Sequence, residues 1–140
     1  MKKLLSDYLK AIAATSKQGD AREESYYDSL KALFADYPLE KGRKTSVTVL
    51  PKQTEAGNPD FRVWDGDHFI VGYIEAKSPG TNLDQVETSE QLQRYLNTFP
   101  NLILTDFYEF RLYRNGQEMD RATIARYFTA QKLKTTPQLE

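Results

Sequence analysis

The segment that decides the fold runs from residue 58 to residue 77 and reads NPDFRVWDGDHFIVGYIEAK. Two mainly apolar runs, at 61–64 and 69–77, flank Asp65-Gly66-Asp67, a sequence typical of a turn, so the segment predicts a β-hairpin. Side chains two positions apart in a strand point to the same side of the sheet. Glu75 and Lys77 are therefore predicted to share one face of the second strand.

Asp60 stands immediately before the first strand of this hairpin. A loop of two or four residues would pair Asp60 with Val71 or Tyr73, both of which lie on the face of Glu75. Two carboxylates and an ammonium group then meet at one end of the hairpin. Carboxylate oxygens are the ligands that Mg²⁺ and Mn²⁺ prefer, and a lysine can hold a water molecule or a phosphate. The arrangement favours hydrolysis of a phosphodiester bond.

Helices and strands alternate on both sides of the hairpin. Helices are predicted at residues 4–12, from an Asp20 and Glu23 capping box to Pro38, from a Thr88 and Gln91 capping box to Phe99, and around residues 124–128; strands are predicted at 47–50, 102–104 and 107–113. With these elements we expect an α/β fold in which helices flank a central mixed sheet that contains the hairpin.

The composition restricts the chemistry that the chain can perform. Its 140 residues fit a single domain with a core at about residues 20–130, and its net charge of −1 gives no overall attraction to nucleic acid or to an anionic membrane. Cysteine is absent and His68 is the only histidine, which excludes disulfide scaffolds, zinc clusters and thiol nucleophiles. Any catalysis must therefore depend on carboxylates and lysines.

The two ends of the chain carry expectations about location and context. Asp7, Tyr8 and Lys10 interrupt the apolar amino-terminal segment, which favours a helix over a signal peptide. No apolar run is long enough to cross a bilayer, so we expect a cytoplasmic protein without membrane contact. Residues 131–140 are polar and include Pro137, which is typical of a tail or linker, and we expect the chain to be a fragment of a longer enzyme.

The hairpin residues resemble the signature of the PD-(D/E)xK nuclease superfamily. Pro59-Asp60 is followed, after fourteen residues, by Glu75-Ala76-Lys77, and Gln91 and Tyr95 on the next helix resemble the QxxxY motif of Mrr-like and type I restriction nucleases. Residues 91–116 are similar to the nuclease domain that opens large single-chain restriction-modification enzymes. The resemblance covers residues 20–116 and implies a restriction-endonuclease-like core and a metal-dependent DNA endonuclease.

The resemblance also implies roles for particular residues. Asp60 and Glu75 would bind Mg²⁺, or Mn²⁺, with the carbonyl of Ala76 as a further ligand. Lys77 would orient or help deprotonate the attacking water and offset charge at the scissile phosphate. Gln91 would position the lysine, the water or DNA, and Tyr95 would support Gln91. The superfamily often adds an acidic residue from its first core helix. Glu23 lies on the apolar side of that helix and Glu24 does not, so Glu23 is favoured as a fourth metal ligand.

The resemblance implies double-stranded DNA as the substrate, with methyltransferase and target-recognition domains as partners in cis or in trans. The low net charge predicts that the isolated domain binds DNA weakly. One presumed site per domain cannot cut both strands at once. We therefore expect a monomer whose copies pair transiently on DNA.

Several interpretations stay open at this point. The fold could serve a non-catalytic module that binds DNA or a partner, and a carboxylate pair could also serve a glycosidase, although that activity leaves Lys77 unexplained. Glu23 and Gln91 could act only as helix caps. The remaining polar residues have simpler readings as a solvated or phosphate-contacting loop (Lys41, Arg43 and Lys44), the start of a turn (Asp106) and a surface residue (His68).

Overall fold

The structure is a computed structural model that describes residues 2–66 and 68–125. Its helices are α1 (Lys2–Lys17), a 3₁₀ helix (Glu23–Tyr26), α2 (Tyr27–Glu40), α3 (Leu83–Glu87) and α4 (Glu90–Thr98). Its strands are β1 (Ser46–Val49), β2 (Phe61–Trp64), β3 (Ile70–Ala76), β4 (Asn101–Thr105), β5 (Glu109–Arg114) and β6 (Gln117–Thr123). No helix in these residues has the length and apolar character needed to cross a membrane.

The six strands form one sheet in the order of the chain, β1-β2-β3-β4-β5-β6. Neighbours are antiparallel except for β3 and β4, which run parallel. A parallel pair requires a crossover, and α3 and α4 supply it. The predicted α/β fold with a central mixed sheet between helices is confirmed.

The two faces of the sheet bury different clusters because side chains alternate along each strand. In β3, Ile74 and Ala76 pack toward α1 and α2, whereas Tyr73 packs toward α4. The α4 cluster comprises Ala56, Leu83, Leu92, Tyr95, Leu96, Phe99, Leu102, Leu104 and Tyr113. Glu75 lies between Ile74 and Ala76 and therefore faces α4 as Tyr73 does.

The hairpin forms as predicted but in a different register. Phe61 lies opposite Ile74 and Arg62 opposite Tyr73, with an irregularity between Val63 and Trp64. Continuing this register by one residue brings Asp60 opposite Glu75, whereas the sequence predicted Val71 or Tyr73 as its partner. The bulge and a longer connection at 65–69 shift the pairing by an even number of residues. Asp60 and Glu75 consequently still share a face.

Both predicted capping boxes are wrong. The 3₁₀ helix that precedes α2 begins after Arg22, whose N–H donates to the Ser25 hydroxyl at 3.0 Å. Asp20 therefore lies outside this helix. Ser89, not Thr88, caps α4 by accepting a hydrogen bond from the N–H of Leu92 at 3.2 Å. Thr88 instead ends α3, a short helix that the periodicity did not indicate.

The crossover is fixed to the sheet by a buried arginine. Arg111 of β5 is 3% exposed and pairs with Asp84 at 2.9 Å and with Glu87 at 3.4 Å, both on α3. Its Nε also lies 2.6 Å from Glu109. Several hydrogen-bonded carboxylates offset the desolvation of the guanidinium. The ion pairs hold α3 against β5 on the face that α4 covers.

The carboxyl-terminal part of the described chain differs from the prediction. Strand β6 was not predicted, because six of its seven residues are exposed and show no apolar alternation. The helix predicted around residues 124–128 lies mostly outside the described residues, as does the tail at 131–140. Ile124 itself is buried, and its N–H donates to the carbonyl of Tyr108 at 2.8 Å.

Helix α2 does not end at Pro38 but continues to Glu40. Proline has no N–H, so the carbonyl of Phe34, four residues earlier, loses its helical partner. The hydroxyl of Thr45 donates to that carbonyl at 2.8 Å. Thr45 directly precedes β1, so this bond also joins the end of α2 to the start of the sheet.

We expect Thr45→Val to destabilise the protein by about 1 kcal/mol, because the Phe34 carbonyl loses its donor. In a Pro38→Ala background, the new N–H at residue 38 can serve that carbonyl, and the same substitution should cost close to nothing. Urea unfolding of the four proteins of this double-mutant cycle measures both costs. Equal costs in the two backgrounds would show that the hydroxyl does not replace the missing N–H.

Candidate active site

The predicted site residues meet where β3 ends beside the first residue of the hairpin. The Oδ2 of Asp60 accepts a hydrogen bond from the N–H of Ala76 at 2.8 Å, which holds the carboxylate against the last residue of β3. The backbone carbonyl of Asp60 accepts from the N–H of Leu50 at 2.7 Å. Lys77 follows β3 directly, and its N–H donates to the carbonyl of Thr105 at 2.8 Å. The backbone of three segments therefore fixes Asp60 and Lys77.

Glu75 is the most deeply buried carboxylate of the site, with 3% of its surface exposed. Its Oε2 lies 3.2 Å from the Nζ of Lys77, while its Oε1 is buried without a hydrogen-bond partner in the described structure. Burial, and secondarily the charge of Asp60, raises the pKa of Glu75 to about 8. Without a bound metal ion, burial therefore favours the protonated form of Glu75.

Asp60 and Glu23 are electrostatically linked. Burial raises the pKa of Asp60, and the N–H of Ala76 opposes that rise. Burial also raises the pKa of Glu23, with the charge of Asp60 as the next cause. Glu24 is exposed. The structure thus brings Glu23, and not Glu24, close to the carboxylate pair.

Tyr27 is a site residue that the sequence did not indicate. It is 4% exposed, packs its ring 4.7 Å from that of Phe61, and donates its hydroxyl to the Oε1 of Glu23 at 3.3 Å. The hydroxyl also lies close enough to Asp60 to lower the pKa of that carboxyl. The available signal was its position four residues after Glu23, which places the two on one side of a helix.

Helix α4 places Gln91 and Tyr95 over the carboxylate pair. Tyr95 is fully buried, and its hydroxyl has no hydrogen-bond partner in the described residues. Burial, followed by the charges of Glu75 and Asp60, raises the pKa of Tyr95 to about 12. Gln91 is half-buried one turn earlier on α4. Its side chain lies close enough to the Tyr95 hydroxyl to lower the pKa of Tyr95 and so to oppose the effect of burial. Tyr95 therefore lies near both carboxylates, and Gln91 lies beside Tyr95.

The loop after Lys77 is fastened by Asp106. Its Oδ2 accepts from the N–H of Gly80 at 3.2 Å, and its Oδ1 accepts from the N–H groups of Tyr108 and Glu109 at 3.1 and 2.8 Å. Asp106 thus begins a turn, as predicted, and also holds the segment that follows the lysine. Of the other polar residues, His68, Lys41, Arg43 and Lys44 are all exposed.

The carboxylate pair fits a hard divalent cation. Asp60 and Glu75 are two partly desolvated carboxylates, the charge of Asp60 raises the pKa of Glu75, and the buried Oε1 of Glu75 lacks a donor. Within residues 2–66 and 68–125, no three or more His, Cys, Asp or Glu side chains are arranged to hold a metal, so Glu23 does not complete a carboxylate triad. Mg²⁺ commonly binds through one or two carboxylates and keeps several waters.

Comparison with known proteins identifies the fold. No protein-family model and no curated protein matches the chain. A solved structure described as a cryo-EM DrdV–DNA complex matches 85% of this chain and 12% of that chain, with 24% sequence identity and a TM-score of 0.66. The chain therefore corresponds to a small part of that protein. The likeness confirms the predicted restriction-endonuclease-like core.

We expect Glu75→Gln to stabilise the metal-free protein at alkaline pH. Because burial raises the pKa of Glu75 to about 8 from its ordinary 4.5, the folded state binds the proton more tightly, and wild-type stability falls as pH rises between these values. The variant does not titrate there. Its advantage should grow from near zero at about pH 4 to about 2 to 4 kcal/mol at about pH 9.

Urea unfolding in the presence of a chelator, repeated across this pH range, measures the difference. Glu55→Gln is the matched control, because Glu55 is exposed. It should change stability little at every pH. A Glu75→Gln variant that is equally destabilised at both ends of the range would contradict the assignment of the raised pKa.

Proposed function

We propose that this protein is a metal-dependent DNA endonuclease domain of a restriction-modification enzyme, which hydrolyses phosphodiester bonds. The observation that carries the proposal is the meeting of Asp60, Glu75 and Lys77, with one buried oxygen of Glu75 left without a partner. The fold shared with a protein solved in complex with DNA supports the choice of substrate.

Asp60 and Glu75 would hold Mg²⁺, or Mn²⁺, with the carbonyl of Ala76 as a further ligand. The bound ion would lower the pKa of a water molecule and stabilise negative charge on the phosphate. The protein itself contributes rigidity: the N–H of Ala76 fixes one oxygen of Asp60, and the buried wall around Glu75 restricts its side chain. Tyr27 orients Glu23 next to Asp60.

Lys77 is placed to act on the attacking water. Its side chain is 25% exposed, so the ammonium contacts the buried Glu75 and can also be reached by water and phosphate from the solvent. An ammonium at this position would orient the water, stabilise the hydroxide left when solvent takes up the proton of that water, and offset the charge that develops on the phosphate. Gln91 would position Lys77, the water or DNA, and Tyr95 would support Gln91 from one turn along α4.

The charge of the chain argues for additional DNA contacts elsewhere. With a net charge of −1, the protein neutralises few phosphates and should bind duplex DNA weakly by itself. We propose that methyltransferase and target-recognition domains, in cis or in trans, hold it on double-stranded DNA. The isolated chain would be a monomer, and two copies would meet on the duplex to cut both strands.

We expect Mn²⁺ and Mg²⁺ to bind more tightly as pH rises toward 8. Burial raises the pKa of Glu75 to about 8, and binding must displace its proton, so each pH unit below that value should weaken the affinity up to about tenfold. Calorimetry with each ion at several pH values measures this dependence. Asp60→Asn should abolish metal binding, and Glu55→Gln should leave it unchanged. Equal metal binding by wild type and Asp60→Asn would count against the site.

We expect Asp60→Asn, Glu75→Gln and Lys77→Ala each to lower the rate of DNA cleavage at least about 100-fold while the chain stays folded. The rate is measured on plasmid with Mg²⁺, at low salt so that weak binding does not limit it. Lys31→Ala is the control for the lysine, since Lys31 is exposed on α2. Normal cleavage by a folded Lys77→Ala protein would overturn the proposal.

A further inference from the structure

Arg62 carries a positive charge that the described protein does not neutralise. It lies on β2 two residues after Asp60 and on the same face of the sheet, opposite Tyr73. Its guanidinium carbon is 5.8 Å from the ring of Trp64 and 5.5 Å from the ring of Tyr73. Two aromatic faces thus hold the charge by cation–π contact, which fixes its position.

The hydrogen bonding of Arg62 is also incomplete. Its single bond is a long one of 3.5 Å from Nη2 to the carbonyl of Lys52, and its Nε is buried without a partner in the described residues. A guanidinium offers five N–H donors in a fixed planar arrangement that matches a phosphate or a carboxylate. Most of this capacity is unused.

Arg94, on α4, is a second arginine without a carboxylate partner in the described residues. It lies on α4 next to Tyr95, is exposed, and donates from Nε to the carbonyl of Ala56 at 3.3 Å. Within the described structure, neither Arg94 nor Arg62 has a carboxylate within ion-pair distance, whereas Arg111 and Arg121 both do. Both unpaired arginines bind carbonyls of the loop at 51–59 that leads to Asp60.

We propose that Arg62 and Arg94 bind two phosphates of the DNA strand that enters the site. The proposal rests on the proposed function and adds to it the residues that hold the substrate. Arg62 is two strand positions from Asp60, about 7 Å along β2, which is close to the separation of neighbouring phosphates on one strand. Arg94 directly precedes Tyr95 on α4, and both arginines bind the loop that leads to Asp60, so both border the site at which the carboxylates and Lys77 would attack a phosphate.

Phosphate fits these two sites better than a protein carboxylate does. Each arginine offers a planar guanidinium whose charge no carboxylate of the described residues compensates, and both lie near a site suited to phosphodiester chemistry. A role limited to ordering the loop at 51–59 would need only the carbonyl contacts. That role predicts a change in stability, whereas phosphate binding predicts a change in the salt dependence of DNA binding.

The test compares Arg62→Gln and Arg94→Gln with wild type in binding a short fluorescent duplex, by anisotropy, with a chelator present and over a series of salt concentrations. Glutamine keeps a polar side chain but removes the charge. Arg114→Gln is the matched control: Arg114 is exposed at the far end of β5 and donates to Asn101 at 3.2 Å. It lies opposite the first residue of β4, away from Lys77.

Each of the two variants should weaken binding about tenfold at low salt and reduce the slope of log K against log salt by about 0.9. Arg114→Gln should leave affinity and slope near those of wild type. Mn²⁺ binding measured by calorimetry should be unchanged in Arg62→Gln and Arg94→Gln, because neither residue touches the carboxylates. Arg62→Lys should retain the slope, since it retains the charge.

Affinity that falls without a change in slope would show that the arginines only order the loop, and would overturn the inference. Unchanged affinity in both variants would also overturn the inference. In either case, metal binding and DNA cleavage by the wild-type protein would still support the proposed function. If Arg62→Gln does not fold, Arg94→Gln and Arg62→Lys decide the outcome by the same criteria. Wild-type protein that binds no duplex even at low salt would overturn the inference about the arginines, whereas the proposed function is overturned only by the loss of the metal and cleavage results.

Discussion

The parallel pairing of β3 with β4 is the constraint on which the rest of the structure depends. Antiparallel neighbours can be joined by a short turn, but a parallel neighbour forces the chain to cross the sheet first. Residues 77–100 make that crossing, and they place α4 on the face that carries Glu75. The crossing begins at Lys77, so the lysine lies where the chain leaves the sheet and solvent can reach its side chain.

The carboxylates illustrate how this arrangement opposes stability. Burying Asp60 and Glu75 beside each other disfavours their charged forms, and the fold compensates only in part through the N–H of Ala76 and the ammonium of Lys77. Arg111, equally buried, is by contrast matched by several carboxylates. Incomplete pairing of buried charge at the end of β3 is the pattern expected of a functional site, and complete pairing at β5 is that of a structural one.

Features that follow from the alternation of side chains along a strand could be predicted from the sequence. Features that depend on local irregularities of the backbone could not. The common face of Asp60 and Glu75 survived a wrong register, because a shift by an even number of residues does not change the face. The bulge after Val63 has no sequence signal of its own. Helix α3 is short and mostly polar, and the exposed β6 lacks apolar alternation, so neither shows the periodic pattern of apolar residues from which helices and strands are predicted. Tyr27 was missed because its role depends on the distant Asp60.

The open sheet leaves strand β6 as an edge in the described chain, with unpaired backbone groups that another strand could join. Glu118, Asp120 and Arg121 stand on that edge, and Arg121 is bonded to Glu118 at 2.8 Å. An incoming strand would have to strip water from these charges. The charges on β6 thus disfavour the addition of another strand at this edge, so copies of the domain brought close together would not join through β6.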